Sequence, residues 1–226
     1  MIGAGVAGLS TASLLARAGH DVCIFEKNQS IREIGAGIQI SPNGFCVLKE
    51  LDISEDIILN SLCNNSILIC DYQDGKRLMQ FNQKSVLGNE NFRLIHRADL
   101  INLLYHSAVI NKVRFNLGCS AEANLLCDQY SIVIAADGAH SKTRSLLNTD
   151  QNKSGRSDYF AWRSIVPNQV GHHDGVRISV APKKHIVSYP VRSRDQLNLV
   201  LIQEADNDEI FEWGMNENPE KIRNLF

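Results

Sequence analysis

No stretch of the 226-residue chain approaches the ~18 consecutive apolar residues of a membrane-crossing helix, which argues against a helical span. A basic excess is also lacking. Lysine and arginine total 23 against 25 aspartates and glutamates, and the net charge of −2 offers nucleic acid no electrostatic footprint. The start shows no basic segment followed by an apolar run and a cleavage site, so no secretory signal is read there and the expected compartment is the cytoplasm. None of the cysteines Cys23, Cys46, Cys63, Cys70, Cys119 and Cys127 belongs to a C-x-x-C pair. They read as buried or partly buried free thiols of a reducing compartment. A metal is not expected at His172-His173-Asp174, because adjacent histidines on a polar loop point apart and no other ligands stand at matching spacing. Internal repeats and low-complexity segments are absent. What remains, 44% hydrophobic and 21% charged, is an ordinary globular composition with room for one large domain or two small ones.

The most informative stretch is Gly3-Ala4-Gly5-Val6-Ala7-Gly8, a G-x-G-x-x-G that opens a helix. Gly3 allows the tight turn, Gly5 lets backbone approach a pyrophosphate, and Gly8 lets the helix pack on its sheet. Unpaired N–H groups and the positive dipole end of the helix would then face the phosphates. Leu9 to Ala18 is rich in good helix formers, and Gly19 stands where a terminating glycine would. Asp21 to Glu26 reads as a short buried strand ending in an acid. Glu26 lies eighteen residues after Gly8, close to the ~20 expected for the carboxylate that takes a ribose hydroxyl pair. The strand that should precede the fingerprint is nearly missing, since only Met1 and Ile2 come before Gly3.

Further along, Ile34 to Asn43 carries two glycines and an apolar/polar alternation, a loop and short strand whose backbone runs close to something flat. Pro42 and Asn43 start a helix to Leu51. Asp74-Gly75 predicts a hairpin between Ile67–Tyr72 and Lys76–Phe81. A helix opens at Asp99 or just before it, with an apolar stripe of Leu100, Leu103, Leu104 and Ser107, and Arg97 sits at its start, where a cation gains nothing from the dipole. An anion within reach of Arg97 would explain its placement better. Ile132 to Ala136 predicts an apolar strand, followed by an Asp137-Gly138 turn and a helix near Lys142 capped by Ser141. Ala161–Pro167, Val176–Val180, Ile186–Val191 and Leu197–Gln203 predict a mainly antiparallel sheet, and Glu209–Trp213 and Pro219–Phe226 read as helices.

Together these stretches resemble the single-component FAD-dependent aromatic hydroxylases, in the branch of salicylate hydroxylase and 3-hydroxybenzoate 6-hydroxylase. The resemblance rests on Gly3/Gly5/Gly8 with Glu26, Gly35 to Asn43, His96 to Leu100, Ala136 to Ser141 through Arg144, Ala161 to Arg163, and His185 through Tyr189-Pro190-Val191-Arg192. It implies an α/β fold: a Rossmann-like FAD-binding βαβ domain with an interleaved antiparallel β-sheet substrate domain, like that of p-hydroxybenzoate hydroxylase but incomplete. The expected division is 1–66 and 95–157 for FAD, 67–94 and 158–208 for substrate, and 209–226 as the start of a return to the FAD domain.

The resemblance also implies roles. Gly3, Gly5 and Gly8 would hold the FAD pyrophosphate, and Glu26 the adenosine ribose. Gly37, Ile38 and Gln39 would run beside the ribityl chain and flavin ring, Arg97 would reach the phosphates or ribityl, and Asp137 would line the groove shared with a passing nicotinamide. The expected reaction hydroxylates a salicylate-like phenolic acid with NAD(P)H and O2 through a C4a-hydroperoxyflavin. His185 would be the base that deprotonates the phenol, with Tyr189 four residues on facing the same side of the strand. Arg163 and Arg192 are weaker candidates for a substrate carboxylate. The partners are the aromatic substrate and O2; a homodimer is allowed but not specified.

The chain departs from that pattern in three places. The first strand is cut, Cys119 to Asp128 replaces extra strands, and no Gly-Asp dipeptide occurs, although the family's second FAD motif begins with one. Two alternatives therefore stand beside the hydroxylase: an inactive remnant that binds FAD weakly or not at all, and a hydroxylase of the ubiquinone-pathway type.

Overall fold

The computed structural model describes residues 1–31, 36–82, 92–147, 158–172, 175–205 and 217–226. Helix α1 (Val6–Arg17) begins directly on the glycine turn. It ends as Gly19 takes φ +91, with the Gly19 and His20 N–H groups donating back to Ala16 and Leu15. Strand β1 (Cys23–Glu26) follows, as its buried apolar run requires. It pairs in parallel with β7 (Arg114–Leu117) on one side and with the short first segment at Ile2 on the other.

Ile2 in turn bridges Ala135, its N–H donating to Ile134 and its carbonyl accepting from Ala136. The strand expected over Ile132–Ala136 thus shrinks to one bridge. A strand is only as long as its partner, and here the partner offers two residues; Ile132, beyond its reach, is 72% exposed.

Strands β2 (Gly37–Ile40), β3 (Ser61–Cys63) and β6 (Arg93–His96) form a small antiparallel sheet in the order β2-β6-β3. Between them run α2 (Pro42–Glu50) and α3 (Ser54–Leu59). Strand β6 leads straight into α4 (Arg97–Ile110), which starts two residues earlier than Asp99 because His96 serves as its cap. The buried stripe of α4 is Leu100, Ile101, Leu104, Ser107 and Ala108, with Leu103 only partly covered.

The remaining strands make one six-stranded sheet. Strands β4 (Ser66–Asp71) and β5 (Arg77–Asn82) form the Asp74-Gly75 hairpin, and β8 (Tyr159–Pro167), β9 (Val176–Ala181), β10 (Lys184–Val191) and β11 (Gln196–Glu204) complete the order β5-β4-β9-β10-β11-β8. Only the β4–β9 pair is parallel. Short helices α5 (Ala123–Cys127) and α6 (Lys142–Leu147) flank the Asp137 turn, and α7 (Pro219–Leu225) ends with Phe226 edge-on to Trp162 of β8. The predicted Glu209–Trp213 helix lies outside the described residues, as do Gly35 and His173-Asp174.

Strand β6 is the wall between two cores. Successive strand side chains point to opposite sides. Ile95 therefore joins the larger core with Leu9, Ile24, Leu48, Ile57 and Leu104, while Leu94 joins a smaller one with Val176, Tyr189 and Val191 on the six-stranded sheet. Both side chains are fully buried, each removal from water contributing about 2–3 kcal/mol. The six-stranded sheet is thereby packed against β6 and its neighbours in the small sheet. Among the described residues no helix is long and apolar enough to cross a membrane, and none of the six cysteines is in a disulfide.

Candidate functional site

The glycine turn is built by close approach. At Gly3, φ +98, an added Cβ would lie 2.5 Å from the Ala136 carbonyl oxygen, and at Gly8 it would lie 2.0 Å from that of Gly3. At Gly5 an added Cβ would meet no other segment within 4 Å among the described residues. Gly5 is the N-cap of α1, no side chain caps the helix, and no acid occupies its first turn. The result is an uncapped helix end facing open space, ready for an anion. Glu26, 9% exposed, accepts the Ala4 N–H on Oε2 and the Asn28 N–H on Oε1, each at 2.9 Å. A carboxylate has about four acceptor positions, so each oxygen keeps one for a ligand hydroxyl.

These residues line a cavity of about 390 Å³. Gly3, Gly5 and Glu26 line it together with Cys119, Ser120, Ala121, Asp137 and Gly138, and the backbone of Ala136 and Asp137 packs directly against Gly3. The Asp137 carboxylate accepts from Ser141 Oγ at 2.7 Å and from the N–H and Oγ1 of Thr143 at 3.2 and 3.1 Å. Burial pushes its pKa up, but these donors outweigh it and hold it below the ordinary carboxylate value. Asp137 thus keeps its charge at neutral pH while tying the Gly138 turn (φ +82) to the start of α6.

Gly37, Ile38, Gln39 and Arg97 do not line this cavity. They meet at a second place, where β2 begins and α4 begins beside it. Gly37 pairs with His96, Ile38 packs on the larger core, and Gln39 is exposed. The Arg97 N–H donates to the Ala36 carbonyl at 2.8 Å. His96 caps α4 by accepting the Ala98 N–H on Nδ1 at 3.2 Å. Burial first, then the neighbouring Arg192 guanidinium, holds its pKa below the ordinary 6.5 against the pull of Asp99. Above Gly37 sits the sheet: a Cβ there would lie 2.6 Å from Tyr189 Cε2 and 2.7 Å from Asn198 Cγ. Asn198 Oδ1 accepts the Gly37 N–H at 2.6 Å.

His185 and Tyr189 share one face of β10, as expected from their spacing, but four residues of strand put them about 13 Å apart. They differ in setting. His185 is half-buried, whereas Tyr189 is 3% exposed and wedged against Gly37. Burial pushes the Tyr189 phenol up to about 12, so it stays protonated and cannot be a base near neutrality. The register carries Arg163 of β8 to that same face, where it is exposed. Arg192 is engaged elsewhere: Nε and an Nη hold both Asp99 oxygens at 3.0 and 2.9 Å.

Residues 1–32 match the NAD(P)-binding Rossmann-like domain family. Over 216 residues the chain is 32% identical to 3-amino-4-hydroxybenzoate 2-monooxygenase of Streptomyces cremeus, covering 84% of this chain and 52% of that enzyme. It is 27% identical over 240 residues to 3-hydroxybenzoate 6-hydroxylase of Klebsiella oxytoca, covering 96% of the chain and 59% of the enzyme. The homologues of this chain are FAD-dependent aromatic hydroxylases. The chain spans between half and three-fifths of the length of these two relatives. The fold agrees: the crystal structure of CtdE in complex with FAD and a substrate superposes with a TM-score of 0.82 at 19% identity, covering 99% of the chain and 61% of CtdE.

The residues present fit a dinucleotide of the FAD kind on two observations. The cavity has an uncapped helix end with open space at Gly5 and spare acceptor capacity at Glu26. Asn198 is fully buried, and its Nδ2 has no hydrogen-bond partner among the described residues. Nothing in the sequence singles out Asn198, since it stands in an apolar run (Leu197 to Ile202) that reads only as a strand.

Proposed function

We propose that this chain carries the cofactor- and substrate-binding layers of an FAD-dependent monooxygenase that hydroxylates a phenolic aromatic acid at the expense of NAD(P)H and O2. Residues 1–66 and 95–157 serve FAD, 67–94 and 158–208 roof the substrate, and 209–226 lead back toward the cofactor. What supports the reading is the uncapped glycine turn sharing one cavity with Glu26 and Asp137, with the six-stranded sheet packed on Gly37.

Glu26 would hold the adenosine ribose on its free acceptor positions, and the N–H groups that open α1 beside Gly5 would take the pyrophosphate. Gly37, Ile38 and Gln39 would line the path of the ribityl chain, and Arg97 would supply a positive charge to it or to the phosphates. The chemistry supplied when FAD is bound is reductive activation of O2 and delivery of one oxygen atom to an electron-rich ring, the other leaving as water. His185 takes the phenol proton, which makes the ring nucleophilic, and Tyr189 closes the roof from the opposite end as a neutral hydroxyl. The exposed Arg163 guanidinium on the same face suits the acid group of the substrate. The apolar residues between them (Val187, Ile178 and Val200 in register) keep water from the reacting centre.

A visible spectrum of the purified protein tests this directly. A flavin band near one equivalent, and salicylate- or 3-hydroxybenzoate-dependent NAD(P)H oxidation that yields hydroxylated product, are the expected results. A colourless protein that FAD cannot reconstitute, or oxidation that yields only peroxide with every phenolic acid, would overturn it.

A further inference from the structure

Two contacts join the six-stranded sheet to the α/β layer through polar groups, and both end on the same few residues. The first is Asn198 on Gly37. Asn198 is fully buried near the start of β11, and its Oδ1 takes the Gly37 N–H from a strand 161 positions away in sequence. Gly37 has no Cβ to spare there, since the Asn198 side chain and the Tyr189 ring fill that space. The second contact is Arg192 on Asp99. Arg192, Ser193 and Arg194 all take positive φ (45°, 57° and 71°), although none is glycine. Three consecutive left-handed residues are a strained turn, and such strain persists only where the surroundings demand it. Here the turn swings the Arg192 guanidinium back onto both oxygens of Asp99 in the first turn of α4, with His96 Nδ1 3.4 Å from an Nη.

The two contacts bracket one junction. Gly37 pairs with His96, Arg97 donates its N–H to Ala36, and Asp99 lies two residues beyond Arg97. The backbone that carries Gly37 and the helix end that carries Arg97 are therefore fixed from the sheet side. Neither Gly37 nor Arg97 lines the cavity around Gly5 and Glu26.

We infer that Asn198 and Arg192 are positioning residues: acting through the Gly37 N–H and the Asp99 carboxylate, they set the second half of the cofactor site, so that the sheet governs how the flavin half of FAD is held while the ADP half binds independently of it. The inference rests on the FAD reading above and names the residues on which its flavin end depends. It also removes Arg192 from the groups open to a substrate carboxylate.

The test compares two ligands on the full chain. ADP occupies only the cavity at Gly5 and Glu26, whereas FAD must also engage Gly37 and Arg97. Affinities are measured by calorimetry for ADP and by flavin fluorescence quenching for FAD, in the parent chain, Asn198→Leu and Arg192→Gln. Asn198→Leu keeps the volume and removes the acceptor. Arg192→Gln alters a side chain that is 44% exposed, so it carries the test even if the buried substitution prevents folding. The expected result is a loss of at least tenfold in FAD affinity for each variant with ADP affinity unchanged within twofold. FAD affinity equal to that of the parent in Arg192→Gln, or a parallel loss of FAD and ADP in a folded variant, overturns the inference and leaves the FAD reading standing. A parent chain that binds ADP but not FAD, or neither, overturns both.

Discussion

Glu26 Oε2 accepts the N–H of Ala4, and that bond joins the end of β1 to the glycine turn. The same carboxylate holds Asn28 through its other oxygen. An amide at this position turns one acceptor into a donor that faces a donor. Glu26→Gln should therefore cost about 1.5–3 kcal/mol of stability, the usual range for a hydrogen bond to a charged group. ADP affinity should fall by roughly tenfold or more, because the ribose loses its charged acceptor. Urea unfolding and calorimetry measure the two effects separately. Unchanged ADP affinity in a folded Glu26→Gln protein would remove Glu26 from the site.

The three glycines of the turn separate folding from binding. Gly8→Ala drives a Cβ to 2.0 Å from the Gly3 carbonyl, a backbone atom that cannot yield cheaply. The expected loss is about 3 kcal/mol or more, at the upper end of overpacking costs. A Cβ at Gly5 would meet no other segment within 4 Å among the described residues, and Gly5 has an ordinary φ of −77. Gly5→Ala should shift stability by about 1 kcal/mol or less, the scale of an N-cap change. Yet it should abolish dinucleotide binding, because the new methyl stands where the pyrophosphate approaches. A Gly5→Ala protein that binds ADP as the parent does would mean that no phosphate sits on this helix end.

How much of this was legible in the residues follows from how local each signal is. The glycine turn, the Gly19 stop of α1, the Asp74-Gly75 hairpin and the Ser141 cap each depend on a few neighbouring residues, so pattern and spacing announce them. The short strand expected at Ile132–Ala136 was legible as an apolar run, but its length was not, because that is set by Met1-Ile2 across the sheet. The His96 cap could not be foreseen, since histidine is an uncommon cap and works here through Nδ1 under burial. Asn198 is the extreme case. Its meaning comes from Gly37, and only the folded register brings the two together.

Tyr189 and His185 make different demands on the reaction. With its phenol pushed up to about 12, Tyr189 has no ionisation to offer near neutral pH. Tyr189→Phe should leave FAD affinity unchanged and slow hydroxylation by about tenfold at most, the scale of one lost neutral hydrogen bond of about 1 kcal/mol. His185→Asn should slow it by about 100-fold or more, as expected for a lost general base, again without a change in FAD affinity. The two substitutions divide the roles through rate alone. A folded His185→Asn protein that binds FAD and hydroxylates at the parental rate would assign the base elsewhere.

His96 couples the junction to pH. Burial and Arg192 lower its pKa in the folded chain below the 6.5 of an unfolded histidine. The unfolded state therefore takes up a proton first as pH falls, and linkage requires stability to decrease. The contribution is fully present above about pH 6.5, declines as pH drops toward the folded value, and levels off once both states are protonated. The cause is visible in the contacts: Nδ1 accepts the Ala98 N–H, and a proton there would face both that donor and the Arg192 guanidinium. Asparagine is a good N-cap that does not titrate. His96→Asn should therefore keep α4 capped while flattening the pH dependence of the urea midpoint just below 6.5, with the parent losing stability over the same interval. A parent midpoint that rises on acidification, or a slope that His96→Asn leaves intact, would show that the α4 cap is not the group that titrates.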